Sequence, residues 1–283
     1  MIITNPNNLP DVLIKAAFGD QTRVANPERM SVTDLINPPL IRHLKLKHWN
    51  QLSEDIDDLA WSLFGKAFHD LMHKYSSPCA MSEYKIEHKF GPYTLVGQPD
   101  VHLDGILDDY KVTSVWSFIY GDKPEWEQQL NIYSWLLSTK NIQTNELRII
   151  AILRDWVKTK IFTTNYPKSA FHVINLPMWT INDQVRFIGD RIKAHQNPVE
   201  CTSDEKWQRE TKYAVVVPGI KKAKRVLDTE QEAMEWINAQ KKGNYEITMR
   251  LGETIRCNYY CPVRGFCEYA KKESTNEDDN TPS

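Results

Sequence analysis

The stretch Leu147-Arg-Ile-Ile-Ala-Ile-Leu153 constrains the fold of this chain more than any other. It is a near-continuous apolar run, the signature of a central strand buried on both faces. Such a strand needs helices above and below it, so the pattern predicts an α/β fold with a central mixed β-sheet flanked by helices. The neighbouring segments supply both kinds of element. Residues 83–90 and 93–103 read as strands joined by a tight turn at Gly91-Pro92, Ile106–Val112 as a third strand and 170–176 as an edge strand. In 55–75, Ile56, Leu59, Ala60, Leu63, Phe64, Ala67, Phe68, Leu71 and Met72 recur at helical spacing and predict a helix with one buried face. Glu125–Leu137 and 180–196 predict two more helices. Ser31 caps a short helix ending at Ile36, and Leu40–His48 forms a basic amphipathic one. Residues 1–30 lack periodicity and read as an extended lead-in.

The chain divides on these patterns into an N-terminal lead-in (1–54), a core (55–198), a charge-rich extension (199–272) and a polar acidic tail (273–283) expected to be disordered. With 41% hydrophobic residues there is material for a sizeable core. No run approaches the roughly 20 apolar residues of a membrane span, and the first residues lack the basic-then-apolar order of a signal peptide. A cytoplasmic protein without a membrane partner is therefore expected. The net charge is −2, so any contact with nucleic acid must rest on local basic patches. There is no phosphate-binding loop and no G-x-G-x-x-G turn, which argues against an ATP-driven motor and a dinucleotide enzyme.

The segment that carries chemistry is Gly97-Gln-Pro-Asp100 followed by Asp109-Tyr-Lys111. Acid-x-Lys triplets also occur at Glu83/Lys85, Glu87/Lys89, Asp204/Lys206 and Glu210/Lys212, so the triplet alone reads better as a solvated surface hairpin. What distinguishes Asp109 is its place at the end of an apolar β-run, one hairpin after Asp100. Strand side chains alternate, so Asp109 and Lys111 share a face. If the strands of Asp100 and Asp109 are neighbours, two carboxylates and an ammonium converge, and two hard oxygen ligands suit Mg²⁺ or Mn²⁺. His69, on the 55–75 helix among Phe68, Leu71 and Met72, is either a structural histidine or a third ligand. Gln129 and Tyr133 share one helix face at i, i+4.

Taken in order, Gly65/His69, Gly97/Asp100, Asp109/Lys111 and Gln129/Tyr133 resemble the motifs of the PD-(D/E)XK nuclease superfamily in its RecB-like branch. The likeness spans roughly residues 55–155. Ser31–Pro39 and the tail CNYYCPVRGFC extend it to phage-type exonucleases and CRISPR-adaptation nucleases of that branch. The resemblance implies a restriction-endonuclease-like core and a metal-dependent DNA nuclease, typically acting from ends, in recombination, repair or phage DNA processing, with DNA and a recombination or annealing protein as partners. It implies that His69, Asp100, Asp109 and the Tyr110 backbone carbonyl hold the metal and that Lys111 is the catalytic lysine. Gln129 and Tyr133 would position DNA or the active-site loop. Glu87, on the strand before Asp100 where relatives often carry an acid, would support the site. Two other readings are a structure-specific or restriction-like endonuclease on the same site and a non-catalytic DNA-binding subunit.

Cys257-x3-Cys261-x5-Cys267 is tight enough for three thiolates to share one centre, and it resembles the C-terminal trio of iron–sulfur RecB-like nucleases. Those relatives take a fourth cysteine from before the core, where this chain has Thr33–Pro39 and none. Cys201 is the substitute expected, with Cys79 the other candidate. A [4Fe–4S] cluster or Zn²⁺ suits four thiolates, and its role would be to staple the C-terminus. The alternative is reduced thiols packed among Tyr259, Tyr260 and Phe266. For DNA contact the candidates are Arg42, Lys45 and Lys47 and the cluster Lys221, Lys222, Lys224 and Arg225. Trp116, Phe118, Tyr120 and Trp126 offer a stacking platform, with core packing expected for at least two of them.

Overall fold

A computed structural model describes residues 2–19, 25–121, 123–220, 222–240 and 243–271. The protein is α/β, with mixed sheets flanked by helices, and divides into two units, Met1–Val199 and Glu200–Ser283. None of the described helices is long and apolar enough to cross a membrane.

The first unit opens with β1 (Ile2–Thr4), α1 (Asp11–Phe18) and β2 (Arg29–Ser31), where the sequence predicts only an extended lead-in. Three-residue strands are too short to leave a periodic pattern. α2 (Val32–Ile36) begins as expected, its Ser31 cap accepting the Asp34 amide. α3 (Pro39–Lys47) follows, and β3 (Ser53–Asp55) pairs in parallel with β1. α4 (Ala60–Lys74) is the predicted long helix, but none of its residues is buried, and Phe64 and Leu71 are exposed. Its periodicity records amphipathicity and cannot reveal what covers the apolar face; here the helix packs on α1, the turn before it and one strand of the main sheet, among others.

The strands that build the site come next: β4 (Met81–Ser82), β5 (Ile86–Phe90), β6 (Tyr93–Gly97), β7 (Val101–Leu103) and β8 (Ile106–Thr113). After α5 (Val115–Tyr120) and α6 (Pro124–Ser138) come β9 (Glu146–Leu153), β10 (Phe171–Leu176) and α7 (Ile181–Gln196). The main sheet has the order β10-β9-β8-β7-β4, with β8 and β9 parallel. A smaller sheet has the order β2-β6-β5. The predicted strand 93–103 is therefore two strands. It breaks at Gln98-Pro99-Asp100, where proline supplies no amide for a ladder, and the chain steps from the small sheet to the main one. β9 buries Leu147, Ile149, Ala151 and Leu153, whereas its other face is only half covered. The expected burial on both faces fails there because Arg148 pairs outward with Asp108.

α6 supplies the centre of the core with Leu130, Ile132, Leu136 and Leu137. On α7, Arg191 and His195 donate to or pair with the carbonyls of Leu35, Ile36 and Asn37, satisfying the open end of α2.

The second unit comprises α8 (Ser203–Lys206), β11 (Lys212–Val216), β12 (Arg225–Leu227), α9 (Glu230–Asn238) and β13 (Glu246–Arg250). Its antiparallel sheet has the order β12-β11-β13, and Thr202/Glu205 and Thr229/Glu232 form capping boxes on its two helices. Lys221 and the predicted tail 273–283 lie outside the described residues.

Candidate metal centre

Strand alternation puts Asp109 and Lys111 of β8 on one face, with Lys111 Nζ 2.6 Å from Asp109 Oδ2. Lys111 also donates to Gln129 Oε1 at 2.9 Å, and Gln129 Nε2 donates to the Tyr133 hydroxyl at 3.0 Å. The i, i+4 pair on α6 thus holds the ammonium in place. Tyr133 is buried, and burial first, then the Asp109 charge, pushes its hydroxyl above the usual tyrosine range. Gly97 lets this packing occur: a Cβ there would stand 2.6 Å from Leu136 Cδ1 and 3.0 Å from Tyr133 Cδ1.

Asp109 is only 2% exposed, and burial pushes its carboxyl up to about 6 despite the Lys111 cation. Its Oδ2 takes the Lys111 ammonium at 2.6 Å, which works against the effect of burial. A carboxylate offers more lone pairs than this one contact uses, which leaves capacity for a ligand.

The break before β7 places Asp100 against β8. Its Oδ2 accepts the Tyr110 amide at 2.6 Å. The amide and carbonyl of one strand residue point to the same side, so the Tyr110 carbonyl faces this edge too. From α4, His69 Nδ1 comes within 3.2 Å of Asp100 Oδ1 and 3.6 Å of Glu83 Oε1. Ligand atoms of His69, Glu83 and Asp100 all lie within 4.8 Å of one another. The hydrogen bond to Asp100, helped by the charges of Asp100, Asp109 and Glu83, raises the His69 imidazolium to about 9 against the effect of burial.

Glu83 is the residue that sequence reasoning missed. The strand predicted over 83–90 starts only at Ile86, so Glu83 lies in the preceding turn, at φ 53. A non-glycine residue there costs on the order of 1–3 kcal/mol, and such strain gathers at functional sites. Its amide donates to the Asp100 carbonyl at 3.0 Å, and its Oε2 accepts Gln98 Nε2 at 2.7 Å. Glu87, the acid expected to support the site, is instead paired with Arg29 at 2.6 Å and Lys85 at 3.3 Å. An acid in a turn with unusual backbone leaves no periodic signal in a single sequence. His73 does not join the set and meets Ser82 Oγ at 2.8 Å.

Beside His69 opens a cleft of about 760 Å³ lined by Ser62, Gly65, Lys66, Glu83 and Gln98 among others. A Cβ on Gly65 would meet no atom within 4 Å.

The predicted DNA-contact residues scatter. Arg42 is buried, donates to the Pro27 and Arg29 carbonyls and lies over the Tyr93 ring, so its charge is spent on structure. Lys45 lines another cleft with Arg29 and Lys85, and Lys47 is exposed. Lys222, Lys224 and Arg225 are exposed in the second unit. Phe118 and Trp126 pack against the core, as expected for two of the four aromatics, and Trp116 and Tyr120 are exposed.

Cys201, Cys257, Cys261 and Cys267 are half-buried in the second unit, and Cys79 is exposed in the first. Burial, then the nearby Glu205, Cys257, Cys261 and Cys267, pushes the Cys201 thiol up to about 12. Cys201 is thus in electrostatic reach of the other three thiols.

No family model matches the chain, and no curated protein does. Among solved structures it is similar to SSO0001, at 20% identity and a TM-score of 0.45 over 66% of this chain and 86% of that one. It is more distantly similar to a candidate exonuclease from Eubacterium rectale, at 8% identity and a TM-score of 0.30 over 51% of this chain and 54% of that one.

Proposed function

We propose that the chain is a divalent-metal-dependent nuclease with a restriction-endonuclease-like core, hydrolysing DNA phosphodiester bonds from strand ends. One observation carries this reading: His69, Glu83 and Asp100 meet within 4.8 Å, with the buried Asp109 in electrostatic reach of His69 and Asp100. Glu83 and Asp100 carry like charge at this distance, which favours a bound cation. Hard oxygens with one imidazole suit Mg²⁺ or Mn²⁺, so the donor set fits such an ion. His69, Glu83, Asp100, Asp109 and the Tyr110 carbonyl would hold it. A divalent cation supplies Lewis-acid stabilisation of a phosphodiester under attack. The chain's own residues do the rest. Lys111 presents its ammonium where negative charge develops, Gln129 and Tyr133 keep it there, and Gln98 orients Glu83. The choice of DNA as substrate rests on the order of the four motifs.

A binding subunit without chemistry has no need of a buried acid whose ionisation burial opposes, which argues for an active enzyme. The test is degradation of 5′- and 3′-labelled single- and double-stranded DNA with Mg²⁺, Mn²⁺ or EDTA. Lys111→Ala should lose cleavage by at least about a hundredfold while DNA binding changes little. Cleavage at the wild-type rate in that variant overturns the mechanism. Degradation of closed circular DNA would instead assign an endonuclease.

The four C-terminal thiols are read as ligands of a [4Fe–4S] cluster, with Cys201 replacing the cysteine absent before the core. Four thiolates suit such a cluster, and Cys201 feels the charges of Cys257, Cys261 and Cys267. Iron content and absorbance near about 400 nm in anaerobically purified protein, both lost in Cys201→Ser, support the cluster. Stoichiometric zinc, or neither metal, overturns it.

A further inference from the structure

We propose that the surface at the carboxyl ends of β8 and β9 is a track for unpaired nucleotides leading toward the metal centre. The inference rests on the nuclease reading and specifies the state of the strand that the site receives.

β8 and β9 are parallel, so both end at the same edge of the main sheet. Open α/β sheets take their ligands at that edge. Lys111 lies two residues before the end of β8, and α5 begins just beyond it. α5 is firmly anchored. Ser114 caps it, and the Val115 amide donates to Asp155 Oδ1 at 2.7 Å, tying it to the segment after β9. Val115 is buried with Leu153 and Tyr166, and Phe118 and Ile119 pack beside them.

With its inner face so occupied, α5 turns two large rings outward. Trp116 is 57% exposed and Tyr120 74%. Their rings lie nearly parallel, 4° apart in plane and 5.8 Å between centroids. Folding gains little from aromatic area left in water, so a pair of flat rings on a fixed helix is a surface awaiting a planar partner.

The adjoining segment, 154–169, supplies charge. It carries Arg154, Lys158, Lys160 and Lys168 against the single acid Asp155, which is engaged by the Val115 amide. The Arg154 guanidinium lies 4.2 Å from the centroid of Trp61, itself 59% exposed and on α4, the helix that carries His69. Rings and cations thus interleave from α5 to α4. Single strands require that combination, with aromatic faces for bases and cations for phosphates. A duplex keeps its bases stacked within and would engage the cations alone. The net charge of −2 makes a local track of this kind necessary.

The test is fluorescence anisotropy in EDTA with a labelled oligothymidylate and a blunt duplex, which reads binding whether or not the nuclease reading holds. Trp116→Ala/Tyr120→Ala should weaken oligothymidylate binding by about tenfold to a hundredfold and leave duplex binding within about twofold. Trp116→Phe/Tyr120→Phe should recover most of the loss, because the faces remain. Lys158→Ala/Lys160→Ala should reduce the salt dependence of oligothymidylate binding by about one to two counterions. Unchanged oligothymidylate affinity in the ring variant, or equal weakening on both substrates, overturns the track. Should the ring variant fail to fold by circular dichroism, the lysine variant decides, and an unchanged salt slope overturns it.

Discussion

Asp100 accepts the Tyr110 amide through one carboxylate oxygen at 2.6 Å and presents the other to His69 at 3.2 Å. A backbone donor therefore fixes the carboxylate before any ligand arrives. Asp100→Asn keeps an acceptor for that amide but removes the charge. Its melting temperature should fall at neutral pH, where the His69 ion pair is lost, while Mn²⁺ affinity by titration calorimetry falls at least about tenfold. Asp100→Ala strands the amide and should cost about 1–3 kcal/mol of stability as well. Undiminished Mn²⁺ binding by Asp100→Asn would remove this residue from the ligand set.

Two acids fourteen and eighteen positions after His69 have different fates. Glu83 joins His69 and Asp100, and Glu87 is taken up by Arg29 and Lys85. Glu83→Gln should reduce metal-dependent cleavage by about tenfold or more with little change in melting. Glu87→Gln should leave cleavage near wild type, because Glu87 reaches only those surface cations. The reverse ranking in parallel assays would restore Glu87 to the site and dismiss Glu83.

This contrast marks how much the sequence makes legible. Apolar β-runs place β8 and β9, and the alternation within β8 correctly puts Asp109 and Lys111 on one face. The i, i+4 spacing puts Gln129 and Tyr133 in line with Lys111. Those are local regularities. Glu83 is invisible because its role comes from a left-handed turn and the carbonyl of Asp100, seventeen residues away in sequence. The exposure of α4 and the burial of Arg42 are hidden for the same reason. A pattern of residue types fixes which side of an element is apolar, and tertiary packing decides what lies against it.

Protons and metal compete at His69. Its folded value of about 9 exceeds the ordinary 6.5, with the Asp100 hydrogen bond as the main cause. Protonated His69 therefore stabilises the metal-free fold fully below pH 6.5, and that contribution disappears as pH rises through about 9. Asp109, raised to about 6 from 3.8, loses its contribution in a lower window and does not confound the measurement. Thermal melts in EDTA should show wild type losing stability between those two histidine values while His69→Gln is flatter. Mn²⁺ affinity should climb over the same interval as the proton is displaced. Parallel melting curves for the two proteins would refute the linkage.

Two motif glycines should respond oppositely to one methyl group. At Gly65, on α4, a Cβ meets nothing within 4 Å, so Gly65→Ala should stabilise the helix by about 0.5–1 kcal/mol. That space belongs to the cleft beside His69. If substrate passes there, the added methyl raises KM while kcat stays near wild type. At Gly97 the same atom would stand 2.6 Å from Leu136 Cδ1 and 3.0 Å from Tyr133 Cδ1, both on α6. Gly97→Ala should therefore cost about 1–3 kcal/mol by overpacking. Because Tyr133 holds Gln129 and Gln129 holds Lys111, the displacement should lower kcat more than it raises KM. Chemical denaturation and steady-state cleavage of both variants check the pair. A stable Gly97→Ala enzyme with wild-type kcat would mean that α6 does not position the lysine through Tyr133.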